Sequence, residues 1–414
     1  MMRRVVVTGM GAVTPLGNSL AETWTAVRAG KSGIAPITYY DTSASNIKFA
    51  AEVKNFNAEN FMDAQAARKM ARFTKYAVAA AKMALEDAAL LDNAQVLDSA
   101  AIFMGVGIGG FEITENNCIK WHESGGKRVN PMTIPQLIPN EAAGNVSIAF
   151  GIHGACHTIA TACSSGTDAL GDALDYIRCG RRDVVLAGGA ESTINGFCVS
   201  AFDALQALSR SHVDEPHKAC RPFDRDRDGF VMGEGSGVLV LEEYEHAKKR
   251  GAKIYAELVG YGSTNDGYHL TAPNPDGVQG AAAMTEAMRD AGVKGDEIQY
   301  YNAHGTSTKK NDSGETTMIK TAFGDAAKKL HISSTKSMTG HCLGATGAIE
   351  AILTVKAICE NFVPPTINLE NPDIEGGCDL DYTPNVGLET RVNCAMSATF
   401  GFGGHNGVVI FKKI

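Results

Sequence analysis

Cysteine is scarce in this sequence: 10 of the 414 residues are cysteines, and they stand singly along the chain. None are spaced as a CxxC pair, so neither a disulfide scaffold nor a structural zinc site is expected. No apolar run reaches the roughly 18 residues that a membrane span needs, and the segment MMRRVVVTGMGAV lacks a sustained signal-peptide core and cleavage site. We therefore expect a cytoplasmic protein without membrane insertion.

A basic excess is also absent. The 38 Lys and Arg residues are outnumbered by 46 Asp and Glu residues, which leaves a formal net charge of −8. Sequence-independent nucleic-acid binding needs a basic face, so this balance argues against that function while leaving room for a small basic patch. The hydrophobic share of 44% and the charged share of 20% indicate a globular protein and exclude a disordered chain or a coiled coil.

Glycine is the one residue in excess, with 45 in the chain, and many glycines lie in short runs beside apolar strand patterns. Glycine lets two stretches of backbone approach closely, so these runs indicate close contacts with another element or a ligand. At about 150 residues per domain, the length predicts two or three domains or one large double unit.

Short β-branched runs recur between helical patterns and fall into two groups. The first comprises 4–8, 101–104, 184–187 and 237–241, and the second comprises 255–259, 298–302, 331–333 and 408–411. Strands separated by long helical patterns predict an α/β fold with buried, mixed sheets. The two groups predict two similar halves, 1–250 and 251–414, with their boundary in the basic, polar stretch 244–253.

The clearest chemical signal is ATACSSG, residues 160–166, which contains Cys163. The following segment predicts a helix that ends at Gly180. Its apolar face comprises Ala169, Leu170, Ala173, Leu174 and Ile177. At a helix N-terminus, free N–H groups and the helix dipole stabilise a thiolate and bind an oxyanion at a thioester carbonyl. We predict that Cys163 is a nucleophile, and that the other nine cysteines are small core residues.

Two histidines lie in small, polar, glycine-bearing segments: His304 in NAHGTST and His341 in STKSMTGHCLGATG. Both are predicted to follow strand ends, where open α/β sheets bind ligands. A lone histidine is usually structural, but two beside a candidate nucleophile favour a catalytic site. The predicted buried helix 345–359 carries one carboxylate, Glu350, for which Lys336 is the candidate ion-pair partner. A surface position for Lys336 is the alternative.

The tail SATFGFGGHNG, residues 397–407, alternates Phe and Gly between two strand patterns. Its glycines allow close backbone approach to a ligand, and Phe400 and Phe402 are placed to shutter an apolar tunnel; a simple hairpin turn is the alternative.

Two other motif matches are interpreted as decoys. GVGIGG at 105–110 lacks the acidic residue that completes a dinucleotide site. DRDRDG at 224–229 begins like an EF-hand, but Gly235 occupies its twelfth position.

Together, ATACSSG, NAHGTST, STKSMTGH and FGFGGHNG resemble the motifs of the thiolase-fold condensing enzymes, and most closely the β-ketoacyl-[acyl-carrier-protein] synthase II group of bacterial type II fatty acid synthesis. The resemblance runs from RRVVVTGMGAVTPLG to GVVIFKKI, over essentially the whole chain. It implies a thiolase-like five-layered α-β-α-β-α sandwich of two pseudo-repeated halves, usually as a homodimer.

The resemblance also implies a reaction. Cys163 would take an acyl chain from acyl-carrier protein as a thioester, and malonyl-carrier protein would then lose carbon dioxide. His304 and His341 would stabilise the resulting enolate, which attacks the thioester. Backbone N–H groups of Cys163 and Phe400 would form the oxyanion hole. The chemistry of thiolate and neutral imidazoles requires no metal or organic cofactor.

Further roles are implied position by position. Lys336 and Glu350 would be the charged support, Thr306 and Thr308 the pantetheine contacts, and Phe400 a gate that faces the mobile loop 265–273. The substrate-contacting positions implied are Gly107, Ile108, Phe202, Thr271, Thr306, Thr308 and Phe402. The carrier-protein docking positions implied are Arg68, Lys69, Lys127 and Arg128, with Gln206 at a position that is basic in some relatives. Some family members bind a structural cation near positions matching Asn302, Glu350 and Ser397. His405 stands where many relatives have Thr.

Several alternatives stay open within this resemblance. A polyketide-type ketosynthase shares the same Cys-His-His triad. A biosynthetic thiolase or a Cys-His-Asn initiation synthase is disfavoured by His341. A non-catalytic partner subunit of a ketosynthase is disfavoured because such subunits lack the nucleophile, and Cys163 is present.

Overall fold

The computed structural model of the chain describes residues 2–414. The strands are β1 (Val5–Val13), β2 (Ala35–Pro36), β3 (Phe49–Ala50), β4 (Ala101–Gly105), β5 (Cys156–Ile159), β6 (Val184–Glu191), β7 (Gly235–Glu243), β8 (Ala256–Asn265), β9 (Tyr300–Asn302), β10 (His331–Ser333), β11 (Phe362–Val363), β12 (Leu388–Glu389), β13 (Cys394–Gly401) and β14 (His405–Lys412).

The α-helices are α1 (Leu20–Arg28), α2 (Ala64–Ala67), α3 (Arg72–Asp87), α4 (Ala94–Ser99), α5 (Phe111–Glu123), α6 (Thr133–Leu137), α7 (Glu141–Phe150), α8 (Ser165–Arg178), α9 (Gly196–Ala204), α10 (Tyr244–Lys249), α11 (Val278–Ala291), α12 (Lys309–Phe323), α13 (Lys336–Thr339) and α14 (Thr346–Glu360). The 3₁₀ turns are Ala58–Asn60, Ala162–Ser164, Pro216–Lys218, Gly295–Glu297, Gly324–Lys329 and Leu343–Ala345. None of the helices in the described part of the chain is long and apolar enough to cross a membrane.

Ten strands form the main sheet, in the order β10-β9-β13-β14-β8-β1-β7-β6-β4-β5. Two groups of five strands meet where β1 pairs antiparallel with β8. We number the five strands of each group in chain order. Read from the outer edge of the sheet to its centre, the strands of each group then lie in the order third, second, fourth, fifth, first. In each group the two strand pairings nearest the outer edge are parallel, and the two nearest the centre of the sheet are antiparallel. The two halves of the chain therefore repeat one topology.

Helices cover both faces of each group of strands. Helix α3 packs on β1 and β7, and α11 packs on β8 and β14, each on an outer face. Helices α8 and α14 pack against each other in the middle, with α8 on β4 and β6 and α14 on β7 and β13. The result is a five-layered α-β-α-β-α sandwich of two pseudo-repeated halves, as the resemblance implies.

Close glycine contacts recur in both halves. A Cβ atom at Gly11 of β1 would lie 2.1 Å from the Ala80 carbonyl oxygen of α3. A Cβ atom at Gly262 of β8 would lie 2.1 Å from the Ala283 carbonyl oxygen of α11. Glycine is required at both strands because the helix backbone lies directly against the strand backbone. Part of the glycine excess thus serves helix packing rather than ligand binding.

Local sequence patterns predicted the elements well. All eight predicted strands overlap observed strands, whereas β5 and β13 of the main sheet were not among them; the β5 sequence CHTI has no extended apolar run. The apolar face predicted after Cys163 is fully buried in α8, and the predicted buried helix 345–359 corresponds to α14. The stretch 244–253 forms α10 and a turn, and the position of the boundary at residue 250 stays a prediction.

Candidate active site

A cavity of about 540 Å³ lies where the two halves meet, and Cys163, His304 and His341 all line it. The structure brings the residues predicted to contact substrate to the same cavity: Gly107, Ile108, Phe202, Thr271, Thr306, Thr308 and Phe402. Phe400 also lines it. Gly107 and Phe402, which are 295 positions apart in the sequence, thus line the same cavity, and each half of the chain supplies part of its wall.

Cys163 lies in the 3₁₀ turn directly before α8, between the end of β5 and the helix. Ala162 has a φ of 52°, in the left-handed region, so the turn is sharp and locally strained. The second half repeats this geometry before α14, where Leu343 has a φ of 46°. A Cβ atom at Gly401 would lie 3.1 Å from the Cys163 backbone nitrogen, so glycine allows the β13 end to approach Cys163 closely.

The Cys163 thiol is protonated at rest. Burial raises its pKa to about 11, although the charge of Lys336 and the backbone N–H groups of Phe402 and Cys163 act in the opposite direction. The N–H groups act in the expected direction, toward the thiolate, but desolvation outweighs them. A proton acceptor is close: His341 Nε2 lies 3.1 Å from Sγ, and His341 Nδ1 lies 3.0 Å from Thr346 Oγ1.

The two histidines face each other beside the sulfur. Their ring centroids are 5.2 Å apart, and one donor atom from each of Cys163, His304 and His341 lies within 4.8 Å of the others. Burial, followed by the charge of Lys336, lowers the pKa of both imidazoles well below the usual value, so both are neutral near pH 7. Neutral imidazoles donate hydrogen bonds without bringing a charge into the cavity.

The two histidines are positioned by different elements. His304 follows the end of β9, as predicted. The expectation that His341 also follows a strand end is wrong, because α13 lies between β10 and His341. Its backbone N–H instead donates to the Val231 carbonyl oxygen at 2.7 Å, which fixes His341 against a segment of the first half.

Lys336 and Glu350 form a buried ion pair behind the histidines. Lys336 Nζ lies 2.6 Å from Glu350 Oε1, and the two side chains are 1% and 2% exposed. The alternative of a surface position for Lys336 is therefore wrong. Burial raises the pKa of Glu350 to about 7, against the opposing effect of Lys336. The same lysine charge lowers the pKa of Cys163 and of both histidines, so this residue acts on all three groups.

We expect Lys336→Met to lower the free energy of unfolding by about 3–5 kcal/mol, because it leaves the Glu350 carboxylate buried without a partner. Urea unfolding measures the change. The double variant with Glu350→Gln should recover much of the loss, since no unpaired charge then remains. Lys82→Met, which removes a partly exposed i,i+4 partner of Glu86, is the matched control and should cost less than about 0.5 kcal/mol. Equal losses in both lysine variants would contradict the importance of burial.

A candidate cation site adjoins the ion pair. Among residues 2–414, Asn302 Oδ1, Glu350 Oε2 and Ser397 Oγ are buried without a hydrogen-bond partner. Asn302 and Ser397 are register partners on β9 and β13, and Asn302 Nδ2 donates to the Glu350 carbonyl oxygen at 3.4 Å. Amide, carboxylate and hydroxyl oxygens are ligands of hard cations. These residues fit the structural cation that the resemblance implies, and its presence stays a prediction.

Sequence reasoning missed two buried carboxylates that hold the site's loops. Glu191 accepts backbone hydrogen bonds from Gly107, Gly109 and Gly344 at 2.9, 2.9 and 3.2 Å. Burial raises its pKa to about 7 against these hydrogen bonds. Glu191 thus connects the loop after β4 to the turn that follows His341. Two of its N–H donors, Gly107 and Gly109, belong to the GVGIGG segment. A carboxylate at the end of the apolar run VVLAGGAE was the available signal.

The second missed carboxylate is Glu315 of α12. It accepts hydrogen bonds from the backbone N–H groups of His304 and Gly305, both at 2.7 Å, and from the Tyr301 hydroxyl at 2.9 Å. These bonds fix the backbone at His304. Spacing along the sequence gave no indication of this contact, since Glu315 lies in an otherwise polar helix segment.

The Phe-Gly tail is both a hairpin and part of the cavity wall. Strands β13 and β14 pair antiparallel around the turn after Gly401. The Phe400 ring lies 5.8 Å from the His304 ring, and Phe402 lies 6.4 Å from Phe202, between centroids. The turn is tied to the predicted mobile loop, because Gly403 N–H donates to the Leu270 carbonyl oxygen at 2.8 Å. Gating by Phe400 stays a prediction.

The predicted docking residues lie outside the cavity. Arg68, Lys69, Lys127 and Arg128 are all exposed, on two segments separated in sequence, while the exposed Gln206 lines the cavity. Their exposure leaves them accessible to a partner.

Two family models match this chain: the beta-ketoacyl synthase N-terminal domain over residues 2–247 and its C-terminal domain over residues 255–370. The chain is 48% identical over 411 residues to 3-oxoacyl-[acyl-carrier-protein] synthase 2 of Staphylococcus aureus (strain COL), covering 99% of this chain and 98% of that protein.

Solved structures give the same picture. A beta-ketoacyl synthase from Burkholderia phymatum STM815 matches with a TM-score of 0.92 at 38% identity, over 100% of both chains. A type II PKS ketosynthase, solved in complex with its acyl-carrier protein and bound to the hexaketide, matches with a TM-score of 0.91 at 35% identity, also over 100% of both chains. The chain therefore belongs to the beta-ketoacyl synthase family, in the group of the 3-oxoacyl-[acyl-carrier-protein] synthases 2.

Proposed function

We propose that this enzyme catalyses the decarboxylative Claisen condensation of fatty acid elongation with Cys163, His304 and His341 as its catalytic residues. The products are 3-oxoacyl-acyl-carrier protein and carbon dioxide. The observation that carries the residue assignment is the collection of one thiol and two neutral imidazoles within 4.8 Å of one another at a cavity wall. A thiol suits thioester exchange, and two imidazole N–H donors suit an enolate oxygen.

Acyl transfer begins with the Cys163 proton, which moves to His341 Nε2, 3.1 Å away, as sulfur attacks the carrier thioester. The Thr346 hydroxyl both donates and accepts, so it supports either tautomer of His341. The N–H groups of Cys163 and Phe400 are proposed to stabilise the tetrahedral oxyanion. Collapse of this intermediate expels the pantetheine thiolate, which takes the proton from His341. Cys163 is left as the acyl thioester.

Condensation starts when the malonyl carboxylate leaves as carbon dioxide. The electron pair of the broken carbon–carbon bond forms an enolate on the carrier thioester, and N–H groups of His304 and His341 stabilise its oxygen. The enolate carbon then attacks the Cys163 thioester carbonyl. Collapse expels the Cys163 thiolate, which takes one proton from solvent and returns to the resting thiol favoured by its pKa of about 11.

Two parts of the cavity serve the two ends of the substrate. Thr306 and Thr308, whose hydroxyl oxygens are 3.0 Å apart, are proposed to contact the pantetheine arm. Ile108 and Phe202 belong to an apolar cluster that also contains Cys163, and are proposed to line the acyl chain. Gly107 and Thr271 complete the substrate wall, and Phe402 packs near Phe202. The carboxyl of Glu350 and the Lys336 ammonium support the site from behind.

A turnover assay with malonyl-carrier protein and acyl primers of graded length tests the function. We expect one round of elongation per malonyl group with saturated primers, together with stoichiometric carbon dioxide release. Repeated condensation into a poly-β-ketone would instead identify a polyketide ketosynthase, which the close relatives do not favour.

The docking surface for the acidic carrier protein is proposed to be Arg68, Lys69, Lys127 and Arg128. We expect charge reversal by Arg68→Glu with Lys69→Glu to raise the KM for carrier-bound substrate by about 10- to 100-fold at low salt, and less at high salt, because exposed charges are screened. Steady-state kinetics against salt concentration measure this. A small acyl thioester should be used equally well. The control is Lys328→Glu with Lys329→Glu, an exposed pair outside both docking segments. Equal effects in both variants would contradict the assignment.

We also propose a homodimer that works in the cytoplasm. Strand β5 is the outermost strand of the main sheet, and it packs beside α7, which follows α5 and α6. These elements expose several large apolar side chains: Ile119, Trp121, Ile134 and Ile148. An open sheet edge with an apolar surround favours association with a second copy. Sedimentation equilibrium measures the oligomeric state.

A further inference from the structure

One segment runs from the catalytic centre to the mouth of the cavity. His304 is 2% exposed and Thr306 is 6% exposed, whereas Thr308 is half-buried and Lys309 and Lys310 are exposed. All five residues line the same cavity. The segment therefore places two ammonium groups, called here the lysine pair (Lys309 and Lys310), at the outer end of a wall that begins at the catalytic histidine.

A buried arginine fixes the backbone that carries the lysine pair. Arg227, from the DRDRDG segment that the catalytic chemistry leaves unused, is fully buried. Its guanidinium donates to the carbonyl oxygens of Thr308 and Lys309, at 3.3 and 3.1 Å, and to the Asp373 carboxylate at 2.7 Å. The lysine pair thus projects from an anchored first turn of α12, which reduces the conformational entropy lost when a ligand binds.

Within the described part of the chain, neither lysine of the pair is engaged in an ion pair. The ion pairs of this region join Arg227 to Asp312 and Asp373, and Arg225 to Asp226. Throughout residues 2–414 neither lysine of the pair has a carboxylate within 4.0 Å, and Lys309 Nζ donates to the Arg225 carbonyl oxygen.

The two carboxylates at the cavity mouth are already engaged by other donors. Asp228 accepts from the Ser209 hydroxyl and from the N–H groups of Arg210 and Ser211. Asp266 accepts from the Asn274 N–H and the Asn406 amide. The two acids are therefore held by neutral donors within their own loops, and neither forms an ion pair with the lysine pair.

We propose that the lysine pair is a subsite for the phosphodiester of the carrier's pantetheine arm. This inference rests on the proposed function, in which the thioester reacts at Cys163 and the arm passes Thr306 and Thr308. The phosphodiester is the anionic group at the opposite end of that arm from sulfur. Two ammonium groups at the outer end of the same segment match its charge and its position.

The test uses a double variant that combines Lys309→Gln and Lys310→Gln. Its kinetics are compared with those of the parent chain on three acyl donors. These are the acyl-carrier protein, the acyl thioester of free 4′-phosphopantetheine, and the acyl thioester of pantetheine without phosphate. We expect KM to rise about 5- to 20-fold for the two phosphorylated donors, with kcat retained. The KM for the pantetheine thioester should match that of the parent chain. Lys328→Gln with Lys329→Gln is the matched control and should change none of the three.

Two outcomes overturn the inference. An equal rise in KM on the pantetheine thioester would show that the phosphate is not recognised, and a rise on the carrier protein alone would show that the lysine pair contacts the carrier surface. Calorimetric binding of free 4′-phosphopantetheine to both chains separates this inference from the function. Weaker binding by the variant than by the parent chain supports the subsite. Failure of the parent chain to condense any substrate would refute only the proposed function.

Discussion

Replacing Cys163 with alanine should abolish both the acyl adduct and condensation. The expected loss in turnover is at least about 10³-fold, because removal of a covalent nucleophile leaves only substrate binding and oxyanion stabilisation. Mass spectrometry of the intact protein after incubation with an acyl-carrier-protein thioester measures the adduct, and formation of 3-oxoacyl-acyl-carrier protein from malonyl-carrier protein measures condensation. The parent chain should gain one acyl mass on the peptide that contains ATACSSG.

A second buried cysteine provides the matched control for this variant. The Cys394 thiol also has its pKa raised to about 11 by burial, but it lies in β13 at the far end from the cavity-lining residue Phe400. Cys394→Ala should therefore keep the adduct and most of the activity. An unmodified Cys163 in the active parent chain, or full activity of Cys163→Ala, would refute the covalent mechanism.

Replacing each histidine with alanine should affect the two half-reactions differently. Decarboxylation of malonyl-carrier protein should fall by about 10²- to 10³-fold in His304→Ala, because one of two donors to the enolate oxygen is lost. Acylation of Cys163 should be largely retained in this variant. His341→Ala should lose decarboxylation to a similar extent and should also acylate more slowly, since only His341 has a nitrogen within 3.1 Å of Sγ.

Rapid-quench measurement of the acyl enzyme and of carbon dioxide distinguishes these steps. His153→Ala is the control, because His153 is largely exposed and pairs with Asp98 outside the cavity. Equal loss of acylation and decarboxylation in His304→Ala would contradict the division of roles. Both imidazoles have a pKa well below the usual value, so neither should contribute a titration to the pH profile of decarboxylation between about pH 6.5 and 8.

Features that depend on neighbours along the chain were predictable. Helix α8 has five apolar positions on one face, and all five are fully buried, because helical periodicity alone decides which side faces the core. His304 was placed correctly after a strand, since the β-branched run before it is local. His341 was not, because the short helix α13 interrupts the expected strand-to-loop order.

Features that depend on the assembled layers were not predictable from spacing. The Glu191 carboxylate binds N–H groups of Gly107 and Gly344, which are 84 and 153 residues away along the chain. No local pattern records such contacts, because they arise only when the end of β6 meets two loops. The same holds for Arg227, whose DRDRDG sequence suggests a calcium loop but forms a buried anchor for the turn at Thr308 and Lys309.

The sequence by itself determined the chemistry available to this protein: one cysteine in ATACSSG, two histidines in small polar segments, a lysine and a glutamate spaced to pair, and a chain long enough for two similar halves. The tertiary structure decided the distances between these groups and their protonation states. Packing α8 against α14 brings Cys163 within 3.1 Å of His341, and the burial that results raises the thiol pKa although the backbone N–H groups favour the thiolate. Desolvation depends on every layer around a group, so the protonation state of the nucleophile is a property of the folded sandwich.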